Sequence, residues 1–306
     1  MTSTSIWRGV IPAITTPFTA EGCVDHAFLA RHAQILVEAG CRGLVPLGSL
    51  GEAATLSFAE KAAVLRTLVR ALDGRAPVMP GIAALCTDEA VRLAREAAAI
   101  GCGGLMVLPP YVYSTDWREM RTHVAAVIDA TSLPCMLYNN PLAYRTDFTP
   151  AHIAELAGQC SNLAAVKESS GDLRRFAAIR ALVGDRLELL VGLDDAIVEG
   201  VRMGAVGWIA GLVNAYPKES VRLFELAQCG SADATFALYS WFLPLLRLDT
   251  VPKFVQLIKL CQEKSGIGHE RVRAPRLVLE GAERAEALAL IDRANAARPR
   301  LEQTLA

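Results

Sequence analysis

The segment Leu163-Ala164-Ala165-Val166-Lys167 places a lysine at the end of an apolar, strand-like run. The chain has 31 lysines and arginines, of which only six are lysines, and Lys167 is the one lysine between Ala62 and Pro217. Because arginine supplies most of the positive charge, a lysine at a strand end indicates that an amine is needed there. A desolvated lysine can lower its pKa from ~10.4 towards ~7 to 8 and attack a carbonyl. Lys167 is therefore the candidate nucleophile for Schiff-base chemistry, and a lysine that simply reaches solvent is the alternative.

Short apolar runs recur on both sides of this segment, and each is followed by a longer amphipathic stretch. Eight runs are predicted to be strands: residues 9–15, 43–47, 77–81, 104–108, 134–138, 163–167, 187–191 and 207–210. The amphipathic stretches, such as 25–39 and 57–72, are predicted to be helices opened by a capping Ser, Thr or Asp. Eight strand-helix units favour a closed parallel (β/α)8 TIM barrel, an α/β fold, over an open sheet.

Beyond residue 216 only helical periodicity remains, in four stretches at 218–228, 232–243, 251–265 and 281–297. Gly230, Pro244, Gly266 and Pro275 are expected to separate or end these helices. The first stretch can close the barrel as its last helix. The prediction is a barrel over residues 1–230 and a C-terminal helical extension over residues 231–306, packed together as one structural unit.

Composition limits the classes of partner. Hydrophobic residues make up 52% of the chain, charged residues make up 21%, and the net charge is -1. This balance allows a large core and lacks the basic excess of a nucleic-acid binder. No apolar run approaches the ~18 residues of a membrane span. Eight cysteines without a C-x-x-C pair, and no leader-like segment at residues 1–5, favour buried thiols in a cytoplasmic protein.

Catalytic groups of such a barrel lie at the carboxyl ends of its strands. Tyr138 ends the strand before that of Lys167, so its phenol could move protons, although a packed core tyrosine is the alternative. The turn Gly48-Ser49-Leu50-Gly51 follows the second strand. Its backbone N–H groups suit a carboxylate and the Ser49 hydroxyl could relay a proton to Tyr138, unless the turn is only a tight connection. Gly192 opens a similar turn after the seventh strand.

Metal and nucleotide chemistry have no signal in the sequence. The five histidines show no ligand spacing, and neither a P-loop nor a G-x-G-x-x-G motif occurs. We therefore expect no metal and no nucleotide cofactor.

The chain resembles the dihydrodipicolinate synthase and N-acetylneuraminate lyase family of class I aldolase-type barrels. The matching segments are TTPF at 15–18, GSLGEAATL at 48–56, LPPY at 108–111, YNNP at 138–141, VKESSGD at 166–172 and GLDD at 192–195. The resemblance implies that Lys167 forms the Schiff base and that Tyr138 donates and accepts protons. It implies Ser49 as a relay hydroxyl and Tyr111 as a relay member that reaches a neighbouring subunit.

The same resemblance implies how substrate is held. The backbone around Ser49, Leu50 and Ile209 would bind the substrate carboxylate, with Gly48, Gly192 and Asn139 as further substrate-binding residues. It also implies a homotetramer without a dissociable cofactor, acting on a 2-oxo acid or a cyclic imine carboxylate.

Departures from the family pattern narrow the expected reaction. The synthases carry Thr-Thr where this chain has Ser49 and Leu50, and an arginine where it has Ala143, so the guanidinium fork for a second carboxylate is missing. Arg145 is out of register to replace it. The segments at 5–13, 169–176, 242–249 and 255–262 are most similar to 1-pyrroline-4-hydroxy-2-carboxylate deaminases.

This similarity implies conversion of 1-pyrroline-4-hydroxy-2-carboxylate to 2,5-dioxopentanoate and ammonia in hydroxyproline degradation. Two alternatives share the lysine: a 2-keto-3-deoxy sugar acid dehydratase and a pyruvate-dependent aldolase. A third is a barrel without activity that serves as a ligand sensor. The joint presence of Lys167, Tyr138 and Ser49 argues against the sensor, because binding alone needs no amine nucleophile.

Overall fold

Seven parallel strands form most of the barrel wall in the computed structural model, which describes residues 5–110 and 116–301. The strands are β1 (Gly9–Pro12), β2 (Gly81–Ile82), β3 (Leu105–Val107), β4 (Cys135–Asn139), β5 (Leu163–Glu168), β6 (Glu188–Val191) and β7 (Gly207–Ala210). Their order in the sheet is β1-β7-β6-β5-β4-β3-β2. Lys167 on β5 therefore has Tyr138 on β4 as its partner in register.

Residues 44–46 close the ring between β1 and β2. The Val45 N–H donates to the Pro12 carbonyl at 2.8 Å, and the Leu44 N–H donates to the Pro77 carbonyl at 3.0 Å. These parallel bridges confirm the predicted TIM barrel. The predicted strand at 43–47 is nevertheless reduced to isolated bridges, and the one at 77–81 to β2, because Pro46, Pro77 and Pro80 supply no N–H to a ladder.

Helices connect the strands on the outside of the barrel. They are α1 (His26–Glu38), α2 (Phe58–Leu72), α3 (Thr87–Ile100), α4 (Trp117–Ile128), α5 (Pro141–Tyr144), α6 (Pro150–Gln159), α7 (Arg174–Val183), α8 (Ile197–Arg202) and α9 (Pro217–Cys229). Side-chain caps set several starts: Asp25 accepts from the Phe28 N–H, and Ser57 forms a capping box with Glu60. The helical stretches predicted from periodicity are confirmed, but α5, α6 and α8 lay outside them.

Three longer helices follow: α10 (Ala232–Leu246), α11 (Phe254–Lys264) and α12 (Gly281–Ala296). Pro244 was expected to end a helix and instead lies within α10, because a proline near the last turn removes only one N–H. The Trp241 indole N–H donates to the Ala294 carbonyl at 2.9 Å, which joins α10 to α12. The boundary between barrel and extension at residue 230 stays a prediction.

Two further expectations concern the surface. All eight cysteines are free, but Cys23, Cys86 and Cys229 are exposed, so the prediction of uniformly buried thiols was wrong. These three lie in a loop and at helix ends, where apolar neighbours in sequence do not imply burial. Among the helices described, none has both the length and the hydropathy to cross a membrane.

Candidate active site

A cavity of about 470 Å³ opens at the carboxyl ends of the strands. Three predicted catalytic residues line it, Lys167, Tyr138 and Ser49, as do the predicted binding residues Gly48, Leu50, Gly192 and Ile209. They come together because parallel strands of a closed barrel all end at the same rim.

The Lys167 amine is buried at this rim against an aromatic ring. Its Nζ lies 3.9 Å from the centre of the Tyr138 ring, and the residue is only 6% exposed. Burial lowers the pKa of Lys167 to about 8, and the negative charges of Asp249 and Asp194 oppose that shift. A substantial neutral fraction is therefore present near physiological pH, as a nucleophilic amine requires.

Gly192 has no side chain, and this makes room for the side chain of Lys167. A Cβ at this position would lie 1.9 Å from the Ser169 Oγ and 2.7 Å from the Lys167 Cε. The backbone of β6 can approach the lysine methylenes only because residue 192 has no side chain. Gly192 therefore shapes the wall that holds Lys167, in addition to lining the cavity.

Tyr138 keeps its phenol protonated in this setting. Burial raises its pKa to about 12, although a hydrogen bond from Asn140 acts in the opposite direction. The Asn140 side-chain amide donates to the Tyr138 hydroxyl at 2.9 Å. The phenol is thus oriented by an amide from the next turn of the chain and can pass a proton without standing ionised.

Tyr144 stands between the predicted relay partners Ser49 and Tyr138. The Ser49 hydroxyl is hydrogen-bonded to the Tyr144 hydroxyl. The Tyr144 ring meets the Tyr138 ring edge-on, with 5.6 Å between their centres. No direct hydrogen bond joins Ser49 to Tyr138 among the described contacts, and Tyr144 contacts both residues; the relay itself stays a prediction.

The sequence contained a signal for this arrangement. Asn140 caps the short helix α5, accepting from the Ala143 N–H at 3.0 Å, and Pro141 occupies its first turn. An Asn-Pro pair is a helix start, and one helical turn carries Tyr144 back over the cavity.

Asn139 corrects a second expectation, because it is not among the described residues that line the cavity. Its side-chain amide donates to the Glu168 carboxylate at 3.0 Å, and its oxygen accepts from the Phe148 N–H at 3.0 Å. Successive side chains of a strand point to opposite faces, so Tyr138 faces the cavity and Asn139 faces the helices. Asn140 lines the cavity instead. The remaining predicted residue, Tyr111, lies outside the described residues.

Asp194 fixes the backbone that follows β7. Its carboxylate accepts from the Trp208 indole N–H at 2.9 Å and from the Leu212 N–H at 2.7 Å. Burial raises the pKa of Asp194 to about 6, against the lowering effect of these hydrogen bonds. Asp194 thereby holds the turn after Ile209 in place from beneath the cavity.

Glu52 holds the turn at Gly48–Gly51 from the other side. It forms a fully buried ion pair with Lys259 of α11, at 2.5 Å, and accepts from the Arg273 N–H at 3.0 Å. The Lys259 ammonium also donates to the Thr16 and Arg271 carbonyls, each at 2.8 Å. Lys259 of α11 is therefore joined by a buried charge pair to Glu52, which directly follows the turn that carries Ser49.

Sequence reasoning missed Asp249, which also lines the cavity. It ends the 3-10 turn Arg247–Asp249 after α10. Burial and the nearby Asp194 raise its pKa well above the usual range, and the Lys167 charge acts against that shift. Nothing in the local sequence indicated that this turn reaches the barrel rim. In the described part of the chain, no three His, Cys, Asp or Glu side chains converge as metal ligands would.

Known proteins of this fold cover nearly the whole chain. Residues 6–294 match the profile described as the Dihydrodipicolinate synthetase family. The 4-hydroxy-tetrahydrodipicolinate synthase of Stenotrophomonas maltophilia (strain K279a) is 35% identical over 280 residues, 91% of this chain and 93% of that protein. The enzyme of the same name from Synechococcus sp. (strain WH7803) is 33% identical, over 95% of both chains.

Solved structures agree. The 4-hydroxy-tetrahydrodipicolinate synthase of Methylacidiphilum fumariolicum SolV superposes with a TM-score of 0.92 at 25% identity, covering 98% of this chain and 99% of that one. A prophage protein of E. coli K12, solved in complex with pyruvate, has a TM-score of 0.89 at 27% identity and covers 95% and 99%. The barrel, the cavity at its rim and these relatives agree with the profile match, and the chain therefore belongs to the dihydrodipicolinate synthetase family.

Proposed function

We propose that the protein is a lysine Schiff-base deaminase that converts 1-pyrroline-4-hydroxy-2-carboxylate to 2,5-dioxopentanoate and ammonia. The observation that carries this proposal is the buried Lys167 amine, 3.9 Å from the Tyr138 ring, at the wall of the cavity. An amine with a lowered pKa beside a phenol is the pair that imine formation and proton transfer require. No dissociable cofactor is part of the proposal.

Charge in the cavity supports a substrate with a single carboxylate. Lys167 is the one basic side chain among the described residues that line it. Ala143 lines the wall, whereas Arg145 is exposed and outside the described lining, so no guanidinium fork faces a second carboxylate. The relatives named as synthases therefore share this chain's fold and family, but the substrate that we propose for this chain differs from the one that their name indicates. Leu142 and Leu193 make the outer wall largely apolar.

The proposed chemistry begins with attack of the neutral Lys167 amine on C2 of the ring imine. Transimination breaks the bond between C2 and the ring nitrogen, and the freed amine stays on C5. The resulting iminium acidifies the C3 protons, and Tyr138 moves protons with Tyr144 and Ser49. Loss of the C4 hydroxyl, tautomerisation, and hydrolysis at C5 and at the lysine release ammonia and 2,5-dioxopentanoate.

A substrate panel with ammonia detection tests the proposal. We expect the hydroxypyrroline to yield ammonia, and borohydride to trap a substrate adduct at Lys167. Lys167→Ala should abolish both, whereas Lys218→Ala, which alters an exposed lysine of α9, should change neither. Near-wild-type turnover by Lys167→Ala would contradict the mechanism.

The second candidate is a pyruvate-dependent aldolase or a 2-keto-3-deoxy sugar acid dehydratase. It is supported by the E. coli relative whose structure was solved with pyruvate. Carbon-carbon bond formation from pyruvate and an aldehyde, without ammonia release from the hydroxypyrroline, would favour this candidate over the deaminase.

We further propose a cytoplasmic homotetramer in which Tyr111 completes the relay of a neighbouring subunit. Light scattering on the purified protein tests the assembly. A monomer with full activity would exclude a role for Tyr111 between subunits.

A further inference from the structure

Asp249 reaches the active-site cavity from outside the barrel strands. The chain leaves α10, makes the turn Arg247–Asp249, and brings this carboxyl to the cavity wall. A Cβ at Gly211 would lie 2.0 Å from the Asp249 Oδ1, so the carboxyl rests directly on the glycine backbone. Gly211 follows β7, and β5 lies between β7 and β4 in the sheet order. Asp249, which rests on the turn after β7, and Tyr138 on β4 therefore line the cavity from positions on opposite sides of β5 in the sheet order.

The Asp249 carboxyl is half-buried and so differs from the fully buried acids near the site. Asp194 is held by N–H donors from Trp208 and Leu212, and Glu52 by the Lys259 ammonium. In the described residues, no hydrogen bond or ion pair involves the Asp249 carboxyl, and the residue is half-buried at the cavity wall. Structural carboxylates in an interior are normally satisfied by donors. A half-buried carboxyl that lines a cavity and has no donor from the described residues is available to a ligand.

Charges around Asp249 favour its protonated form. Burial raises its pKa, the charges of Asp194 and Asp195 add to that shift, and the Lys167 charge opposes it. Arg247 lies 3.9 Å from Asp195, which ties that cation to a different acid. A protonated carboxyl at the cavity wall is a proton donor, a role in which a phenol with a pKa of about 12 is much weaker.

We propose that Asp249 is a catalytic acid that protonates the hydroxyl group leaving C4 of the substrate bound to Lys167. This inference rests on the proposed deaminase function and names the group that carries out its elimination step. Aldol condensation and carbon-carbon cleavage have no such leaving hydroxyl, whereas a sugar acid dehydratase has one, so the residue would separate elimination from aldolase chemistry.

The step balances as follows. The relay of Tyr138, Tyr144 and Ser49 takes a C3 proton and passes one proton to solvent. The C3–H electron pair forms a C2–C3 double bond, and the iminium electrons move to the Lys167 nitrogen. The nitrogen pair then reforms the iminium, the C2–C3 pair becomes a C3–C4 double bond, and the C4–O bond breaks with its electrons on oxygen. That oxygen takes the Asp249 proton and leaves as water. Solvent reprotonates the carboxylate, and no oxidant or reductant takes part.

Asp249→Asn tests the assignment, because it preserves shape and removes the proton. The full-length variant is assayed with the 4-hydroxy-pyrroline, with its 4-fluoro analogue, and with pyruvate plus borohydride. Fluoride leaves without prior protonation, so it bypasses the acid. Asp233→Asn, an exposed acid in the first turn of α10, is the matched control.

We expect Asp249→Asn to turn over the hydroxy substrate roughly 100-fold or more slowly than the wild type. Its turnover of the fluoro analogue should stay within about fivefold of the wild-type value. Pyruvate trapping should match wild type, which also shows an intact site. Wild-type turnover of the hydroxy substrate by Asp249→Asn, or equal loss with both leaving groups, would overturn the assignment. If Asp249→Asn traps no pyruvate, Asp249→Ser is measured under the same criteria.

The same assays distinguish failure of the proposed deaminase function from failure of the Asp249 assignment. If the wild-type protein releases no ammonia from the hydroxypyrroline, the deaminase is wrong and the role of Asp249 falls with it. If the wild type is active and only the leaving-group pattern of Asp249→Asn is absent, the deaminase stands and the Asp249 assignment alone is wrong.

Discussion

Replacing Gly192 with alanine would push a methyl group into the side chain of Lys167. The added Cβ would lie 1.9 Å from the Ser169 Oγ, 2.7 Å from the Lys167 Cε and 2.9 Å from its Cγ. Non-bonded carbon atoms prefer separations of about 3.5 to 4.0 Å, so the lysine must move by roughly 0.8 Å or more. Gly192 has no left-handed backbone angle, so the whole effect comes from this overlap.

The displacement sets two expected magnitudes. Overpacking a well-packed interior costs about 1 to 3 kcal/mol in free energy of unfolding. A misplacement of about 1 Å at a reacting group can lower a rate roughly 100-fold. Gly192→Ala should therefore be moderately destabilised in urea and should form the borohydride-trapped pyruvate adduct at Lys167 about 10- to 100-fold more slowly.

Gly158→Ala is the matched control. Gly158 lies in α6, and a Cβ there would meet nothing within 4 Å. This variant should keep the wild-type adduct rate and gain about 0.5 kcal/mol, because alanine is a better helix former than glycine. Wild-type adduct rate and stability in Gly192→Ala would refute the packing argument.

A second substitution separates the two contacts. Ser169→Ala in the Gly192→Ala background removes the Oγ at the shortest distance and leaves the lysine contacts in place. We expect it to recover stability and leave the adduct rate low. Recovery of both would show that the serine, rather than the lysine, carries the effect.

Three further results are expected. Tyr144→Phe removes the hydroxyl bonded to Ser49 while keeping the ring, so steady-state kinetics should show kcat lower by roughly 100-fold and little change in KM. Lys259→Met leaves the Glu52 carboxylate buried without its ammonium, so urea unfolding should show a loss of about 3 kcal/mol or more. Adding Glu52→Gln, which removes the charge and keeps an acceptor for the Arg273 N–H, should recover part of that loss. Burial lowers the pKa of Lys167 from 10.5 to about 8, so the rate of adduct formation should rise with pH through about 8 as the ammonium loses its proton. A midpoint near 10.5 in borohydride-trapping experiments would contradict this expectation.

The fold could be read from the sequence because its signals are local. Apolar runs alternate with amphipathic stretches throughout the first two thirds of the chain, and a closed barrel is the architecture that buries eight such strands. That Lys167, Tyr138 and Ser49 line one cavity could be predicted for the same reason: each stands where a strand ends, and all strand ends meet at one rim. The shortening of the strands near Pro46 and Pro77 was not predicted. The apolar pattern of these segments indicates full strands, but their prolines have no N–H group to donate to a ladder.

Tertiary structure decided which side chains complete the cavity. Asn139, which was predicted to bind substrate, is outside the described cavity lining because the pleat turns it away from the face of Tyr138, whereas Asn140 lines the cavity. The contact of Ser49 with Tyr144 spans 95 positions of sequence, and the Glu52–Lys259 pair spans 207. Asp249 enters the site only because α10 and its final turn pack back onto the barrel. Such contacts depend on how distant elements dock, a property that no local pattern of residues encodes.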